Sequence, residues 1–197
     1  MRGEIEAYFR TLGAFGARIE ATDKAGDTLP LATAAALALE TAQRTQRDKA
    51  RVFFIGNGGS AGICSHMATD WMRNGGFSSL SLNDGAVLTC LGNDLGFEQV
   101  FAKQIQMQGR AGDLLIAISS SGNSPNILRG VEAARAAAMH VITLSGFRPD
   151  NKLRRLGDVN FYVPSERYGW VEISHLTLCH ALLDASMGLS PAETGQK

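Results

Sequence analysis

Short runs of apolar residues alternate with longer segments of helical periodicity along most of this 197-residue chain. From Arg51 onward the apolar runs predict buried strands, because β-branched and aromatic side chains favour a sheet. The predicted strands are residues 52–55, 78–82, 114–119, 141–145 and 159–163. Amphipathic segments between them predict helices, among them 125–138 and 170–187. This alternation predicts a three-layer α/β/α sandwich with a central parallel sheet of about five strands.

Two helices are predicted ahead of the first strand. Apolar residues at helical spacing cover residues 2–21, and an alanine-rich segment follows over 28–47 with Pro30 in its first turn. Two such helices need an apolar surface on which to bury one face, and a second copy of the chain would provide it. We therefore expect residues 1–188 to form one domain that self-associates, followed by a loose polar tail at 189–197.

The stretch after residue 82 is ambiguous in its pattern. Residues 85–91 fit a short helix and a strand equally well, because the apolar run is too short to show a period. Asn93 and Asp94 follow and predict a loop. Apolar residues between Phe97 and Ile105 recur at helical spacing, which predicts one more helix that ends at Gly109.

Composition narrows the class of protein. A hydrophobic fraction of 45% and a charged fraction of 19% are typical of a soluble globular domain. Acidic and basic residues number 19 each, which argues against a nucleic-acid surface or a membrane contact. No apolar run reaches the roughly 20 residues of a membrane span, and the N-terminus lacks a signal-peptide core. Three cysteines without CxxC spacing indicate reduced thiols, so we expect a cytoplasmic protein.

The loop after the first sheet strand carries the first candidate site. Gly56-Asn57-Gly58-Gly59 predicts a tight turn, because glycine adopts positive φ freely and lets a ligand approach the backbone. Ser60 is then a predicted N-cap of the next helix. His66 and Asp70 are four residues apart on that helix and therefore share one face. The alternative is a glycine turn followed by a solvated His/Asp pair.

A second loop of the same kind follows the strand at 114–119. Ser124 and Pro125 form a strong helix start, with an N-cap hydroxyl and proline at the first helical position. Ser119, Ser120 and Ser121 place further hydroxyls beside the free N–H groups of that helix. Such an arrangement suits a phosphate group, and both loops fall at the carboxyl ends of strands, where open parallel sheets bind ligands. A plain serine-rich turn is the alternative.

A dinucleotide site is a further alternative for the first loop. Gly56-x-Gly58-x-x-Ala61 resembles the glycine fingerprint of such sites, and Asp84 lies near the end of the next strand. A single match of this kind has low specificity. The polar side chains of Asn57 and Ser60, together with the second serine loop, are left without a role in that interpretation.

The last predicted helix adds possible metal ligands. Glu172, His175 and His180 join His66 and Asp70 as nitrogen and oxygen donors that suit zinc. Glu172 and His180 are eight residues apart, which is roughly 12 Å along a continuous helix. One metal ion therefore cannot bind both from a single unbroken helix. Either the helix begins after Glu172, or a neighbouring subunit supplies one of the two ligands; solvated surface residues are the remaining alternative.

Four segments of the chain resemble the sugar isomerase (SIS) domain family, and within it the phosphoheptose isomerases. These segments are FIGNGGS at 54–60, GND at 92–94, GDLLIAISSSGNS at 112–124 and VITLSG at 141–146. The resemblance covers about residues 3–187. It implies conversion of sedoheptulose 7-phosphate to D-glycero-D-manno-heptose 7-phosphate, a precursor of lipopolysaccharide or capsule heptose. It also implies a homotetramer whose active sites lie between subunits, with one Zn²⁺ per subunit.

The resemblance assigns roles to individual residues. The implied substrate-binding residues are Asn57, Gly58, Gly59, Ser60, Asn93, Asp94, Ser119, Ser120, Ser121, Ser124 and Glu172. The implied metal ligands are His66, Asp70, Glu172 and His180. We expect Asp70 to act as the base and His180 as the acid of the isomerisation.

The chain departs from this family's pattern at three positions. Asp70 and Glu172 stand where the family has Glu and Gln. The family's arginine after the catalytic Glu has no counterpart in register, since Asn74 occupies its position and Arg73 lies one residue earlier. Two alternatives follow: an isomerase of another sugar phosphate, or a noncatalytic SIS binding protein like the one that contacts a replication initiator.

Overall fold

A computed structural model describes residues 2–189 and contains one seven-stranded sheet with the strand order β2-β1-β7-β6-β5-β3-β4. The strands are β1 (Glu20–Asp23), β2 (Thr28–Leu29), β3 (Arg51–Gly56), β4 (Ser78–Ser81), β5 (Leu114–Ser119), β6 (His140–Ser145) and β7 (Val159–Tyr162). The helices are α1 (Arg2–Ala14), α2 (Leu31–Arg47), α3 (Gly59–Arg73), α4 (Gly85–Leu95), α5 (Val100–Gln108), α6 (Pro125–Ala136) and α7 (Tyr168–Ser186). Across residues 2–189, no helix is both long and apolar enough to cross a membrane.

The central five strands are parallel and carry a separate apolar core on each face. Side chains alternate between the two faces of a strand, so Phe54 and Ile116 pack with Trp71 beneath α2, α3 and α7. Phe53 and Phe101 belong to the second core, beneath α5 and α6. All five side chains are buried. The predicted α/β/α architecture is therefore confirmed, because helices cover both faces of a mostly parallel sheet.

The sheet has seven strands rather than the predicted five, because β1 and β2 extend it at one edge. The helix predicted over 2–21 ends at Ala14, and β1 pairs antiparallel with β7, with Ala21 opposite Phe161. The hairpin partner β2 has two residues. Strands this short show no period of their own, and the exposed edge of β7 provides the backbone groups with which β1 pairs.

The ambiguous segment after residue 82 is the helix α4. Asp84 caps it, since the Asp84 side chain accepts a hydrogen bond from the backbone N–H of Val87 at 2.9 Å. The helix continues to Leu95, so the loop predicted at Asn93 and Asp94 is wrong. The helix instead ends at Gly96, whose φ of 89° interrupts it. Residues 190–197 of the predicted polar tail lie outside the described residues.

Candidate active site

A pocket lies at the carboxyl ends of β3 and β5, between the two loops that follow these strands. It is lined by Asn57, Gly58, Gly59, Ser60, Ser119, Ser120, Ser121, Ser124, Tyr168 and Glu172. The two strands are hydrogen-bonded neighbours in the sheet, so the loops after them meet at one edge. The structure thus brings together nine of the residues singled out from the sequence and adds Tyr168.

The turn after β3 leads directly into α3. A Cβ at Gly56 would lie 2.7 Å from the backbone carbonyl carbon of Ser60, so only glycine lets the chain fold back this closely. Gly58 has a φ of 54° and is the N-cap, and α3 begins at Gly59. The prediction of Ser60 as the N-cap is therefore wrong by two residues. Because the glycine turn starts the helix early, Ser60 lies buried in its first turn.

A pair of reciprocal amide hydrogen bonds joins the first loop to α6. Asn57 Nδ2 donates to Asn126 Oδ1 at 2.9 Å, and Asn126 Nδ2 donates to Asn57 Oδ1 at 2.8 Å. Asn126 is 2% exposed, so each carboxamide satisfies the other away from solvent. Asn126 is a site residue that the sequence pattern does not predict. Its place directly after Pro125, in the first turn of a helix that faces the pocket, was the available signal.

The serine loop, residues 119–124 after β5, presents hydroxyl groups to the pocket. Ser124 is at the N-cap of α6 and Pro125 at its first position, as predicted, although the Ser124 side chain makes no capping bond. Its Oγ lies 3.4 Å from Ser119 Oγ. The buried Ser120 Oγ has no hydrogen-bond partner within residues 2–189. Free hydroxyls next to the N-terminus of a helix are suited to an anion.

Glu172 lines the pocket and lies against Gly59 of the first loop. A Cβ at Gly59 would be 2.6 Å from the Glu172 carboxyl carbon, so a larger residue at 59 would displace this side chain. The position at the N-terminus of α3 favours a negative charge. The helix α7 runs unbroken from Tyr168 through Glu172, so the alternative in which it begins after Glu172 is wrong.

A second cluster of functional groups lies farther along α3 and α7. His66, Asp70 and His180 each present a ligand atom, and these atoms lie within 4.8 Å of one another. His66 Nε2 is 3.5 Å from Asp70 Oδ2, and the two imidazole rings are 5.3 Å apart at their centres. Two imidazoles and a carboxylate are a common ligand set for zinc, with a position left for a further ligand. The donor chemistry therefore fits the implied metal ion.

Glu172 is not part of this cluster within one chain. It belongs to the pocket near the start of α7, and His180 lies roughly 12 Å farther along the same helix. The expectation that His66, Asp70, Glu172 and His180 all ligate one metal ion therefore does not hold for the side chains of a single chain. Along the continuous helix α7, Glu172 and His180 are too far apart to bind the same metal ion.

Asn93 and Asp94 are exposed and lie outside the lining of the pocket. Asn93 Nδ2 donates to Asp94 Oδ1 at 2.8 Å, so the two side chains are paired with each other in the last turn of α4. The loops at 56–60 and 119–124 thus meet within one chain, and these two predicted substrate-binding residues do not join them.

His175 is a core residue beneath the site. It is 0% exposed, and burial lowers the pKa of its imidazole to about 4, although a hydrogen bond to the backbone opposes this. Its Nε2 donates to the carbonyl oxygen of Ser145 at 3.0 Å. His175 is therefore neutral near pH 7 and anchors α7 to the end of β6.

The chain is similar over most of its length to proteins of one family. The model of the SIS domain family matches residues 7–146. The phosphoheptose isomerase of Neisseria meningitidis serogroup A is 36% identical over 186 residues, which cover 89% of this chain and 92% of that protein.

Two solved structures are similar over almost their whole length. Phosphoheptose isomerase GmhA from Neisseria gonorrhoeae superposes with a TM-score of 0.83 at 32% identity, covering 95% of this chain and 99% of that one. A phosphoheptose isomerase from Francisella tularensis gives 0.81 at 29% identity, covering 94% and 97%. Because both the family model and these relatives extend over most of the sequence, the chain belongs to the SIS domain family and, within it, to the phosphoheptose isomerases.

Proposed function

We propose that this protein is a metal-dependent aldose–ketose isomerase that converts sedoheptulose 7-phosphate to D-glycero-D-manno-heptose 7-phosphate. The observation that supports it most is the combination of two sites on the same pair of helices. The pocket at the start of α3 and α7 offers hydroxyls for a phosphate, and His66, Asp70 and His180 offer ligands for zinc. The names of the relatives support the seven-carbon substrate.

The complete site is formed, in this proposal, by more than one chain. Glu172 and the His66/Asp70/His180 cluster are separated along α7, so a metal ion held by one chain's cluster would take its fourth ligand from the Glu172 of a neighbour. The exposed positions of Asn93 and Asp94 are consistent with a role in such a contact. A homotetramer with its active sites between subunits satisfies both points.

The chemistry follows from the groups in the cluster. Isomerisation removes a proton from the carbon next to the carbonyl and returns one to the neighbouring carbon, through an enediol. The Asp70 carboxylate takes the first proton, His180 as the acid returns one to the neighbouring carbon, and the hydroxyl proton passes between the two sugar oxygens. A bound zinc ion would polarise those oxygens. The hydroxyls of Ser119 to Ser121 and of Ser124 hold the phosphate, which fixes the position of the reacting carbons.

An isomerase of a different sugar phosphate is the second candidate, and Asp70 favours it. The shorter side chain withdraws the carboxylate by one methylene relative to Glu, and a misplacement of about 1 Å can lower a rate roughly a hundredfold. A substrate that places its acidic carbon closer to α3 would remove that penalty. Turnover of five-, six- and seven-carbon ketose phosphates under the same conditions distinguishes the two candidates.

The primary test uses Asp70→Asn, which keeps the shape of the side chain and removes its basicity. We expect kcat on sedoheptulose 7-phosphate with zinc to fall by a factor of about a hundred or more. Asp184→Asn is the matched control, because Asp184 is an exposed carboxylate one turn beyond His180 on the same helix. Equal activity of the two variants, or no aldose product from the wild-type protein, would overturn the proposal.

Elemental analysis separates an enzyme from a noncatalytic SIS binding protein. We expect about one zinc ion per chain in the purified protein, and loss of that zinc in His66→Ala and His180→Ala. A protein without stoichiometric metal and without turnover would be a binding protein instead. We place the enzyme in the cytoplasm, in a pathway that supplies heptose to lipopolysaccharide or capsule; the name of its relatives, phosphoheptose isomerase, supports the heptose phosphate alone.

A further inference from the structure

The segment between β6 and β7 packs against the back of the serine loop. The backbone N–H of Leu153 donates to the carbonyl oxygen of Gly122 at 2.9 Å. One residue earlier, the N–H of Lys152 donates to Asn123 Oδ1 at 3.1 Å. The loop that carries the hydroxyls is therefore held from outside the pocket by a segment that lines no part of it.

Asn151 is the centre of this contact. Asn151 is 1% exposed. A Cβ added at Gly122 would lie 2.8 Å from the Cβ of Asn151, so the asparagine packs directly against the turn of the serine loop. Gly122 also has a φ of 62°, which other residues adopt only with strain. The turn at Gly122 and the buried side chain of Asn151 therefore fix each other's position.

The carboxamide of Asn151 connects the turn to the sheet. Its Nδ2 donates to the carbonyl oxygen of Arg148 at 2.8 Å and lies 3.2 Å from that of Gly146 and 3.3 Å from Ser145 Oγ. Its Oδ1 accepts from the backbone N–H of Arg154 at 3.1 Å. The end of β6 and the outer segment are thereby fastened together through one buried side chain.

The same strand end is tied to α7. His175 Nε2 donates to the Ser145 carbonyl oxygen at 3.0 Å, and His175 is one turn from Glu172. A buried chain of contacts therefore runs by hydrogen bonds from α7 through Ser145 to Asn151 and ends where the Asn151 side chain packs against Gly122. It joins the helix that carries Glu172 to the loop that carries the serines, behind the pocket that both of them line.

We propose that Asn151 is a positioning residue for phosphate binding: it sets the place of Gly122, and through it the hydroxyls of Ser119 to Ser121. This inference rests on the proposed function, since it takes the serine loop as the seat of the substrate phosphate. Asn151 touches no substrate atom in this scheme. Its loss displaces the hydroxyls and leaves the His66/Asp70/His180 cluster in place.

The test measures binding of inorganic phosphate by titration calorimetry in the metal-free full-length protein. We expect Asn151→Ala to weaken the affinity by roughly tenfold or more, because displaced donors no longer converge on the anion. Zinc affinity, measured separately, should stay within about twofold of the wild-type value. Asn151→Ser serves in the same role and keeps a polar side chain, in case the alanine variant does not fold.

Asn160 provides the matched control. It is also 1% exposed, and its Oδ1 accepts from Thr143 Oγ1 and from the N–H of Gly157, both at 2.7 Å, away from the serine loop. Asn160→Ala should lower the melting temperature and leave phosphate affinity within about twofold. Wild-type affinity in both Asn151 variants, or equal losses at 151 and 160, would overturn the inference alone. Failure of the wild-type protein to bind phosphate or the sugar phosphate would overturn the proposed function as well.

Discussion

The buried imidazole of His175 makes the stability of the protein depend on pH. Burial lowers its pKa to about 4, against an ordinary value of 6.5. Between these two pH values the imidazole is protonated in the unfolded chain and neutral in the folded chain. The stability of the folded state that depends on neutral His175 is fully present above pH 6.5 and is lost as the pH falls toward 4. Over that range we expect the free energy of unfolding to decrease by roughly 3 kcal/mol on account of His175.

Urea unfolding between pH 7 and pH 4 measures this effect. His175→Gln keeps a donor toward Ser145 and removes the titrating group, so its stability should vary less with pH than that of the wild type. His140 is a second histidine whose pKa is lowered, by partial burial and by Arg44 beside it. His140→Gln is therefore the companion variant. A pH dependence that is unchanged in His175→Gln would contradict the prediction.

At the scale of elements, the amino ends of three parallel strands are joined by Asp113. Its side chain accepts hydrogen bonds from the backbone N–H groups of Arg51 at 2.7 Å and Arg110 at 2.9 Å. Its backbone carbonyl accepts from His140 at 2.8 Å. We expect Asp113→Ala to cost about 2–4 kcal/mol of unfolding free energy, because two N–H groups lose their acceptors.

The comparison for this prediction is Asp150→Ala. Asp150 pairs with Arg148 at 3.1 Å, but both side chains are about 70% exposed, so the loss should be much smaller than at Asp113 because solvent screens the pair. Denaturant unfolding of both variants under the same conditions decides the matter. Similar losses at the two positions would show that Asp113 does not hold the strands together.

The elements that could be predicted from the sequence are those whose pattern is local. The strands β3 and β5 are almost unbroken apolar runs, and Ser124-Pro125 marks the start of α6. The strands β1 and β2 could not be predicted, since β1 owes its pairing to β7, far away in the sequence. The same reason applies to the site: the loops were identified by their glycines and serines, whereas Asn151 acts through contacts that no local pattern records.

For the whole molecule, the exposed apolar surface predicts an oligomer. Ile5 and Phe9 are 61% and 65% exposed and lie one turn apart on α1, whose Tyr8 packs against Trp170 of α7. The helix α4 is apolar, and none of its eleven residues is buried. Contiguous exposed apolar surface is typical of protein–protein contacts. We expect a homotetramer, four times the 21.0 kDa of one chain.

Light scattering after size exclusion measures this mass directly. The double variant Ile5→Glu/Phe9→Glu should shift the protein to a smaller assembly, because charges at the centre of an apolar contact are costly. Ala7→Glu, on an exposed position of the same helix, is the control for a change in charge alone. A wild-type protein that runs as a monomer at all concentrations would contradict the prediction.

The separation of Glu172 from His180 along α7 has a consequence for mixtures of defective chains. If each working site takes Glu172 from one chain and Asp70 from another, two inactive variants can restore each other. Co-expression of Glu172→Ala and Asp70→Asn chains should then produce assemblies in which about a quarter of the sites are intact in both halves. A cell that carries both mutant genes should therefore regain activity. Two different substitutions that both remove the Glu172 half of the site, or both remove the Asp70 half, should not restore each other.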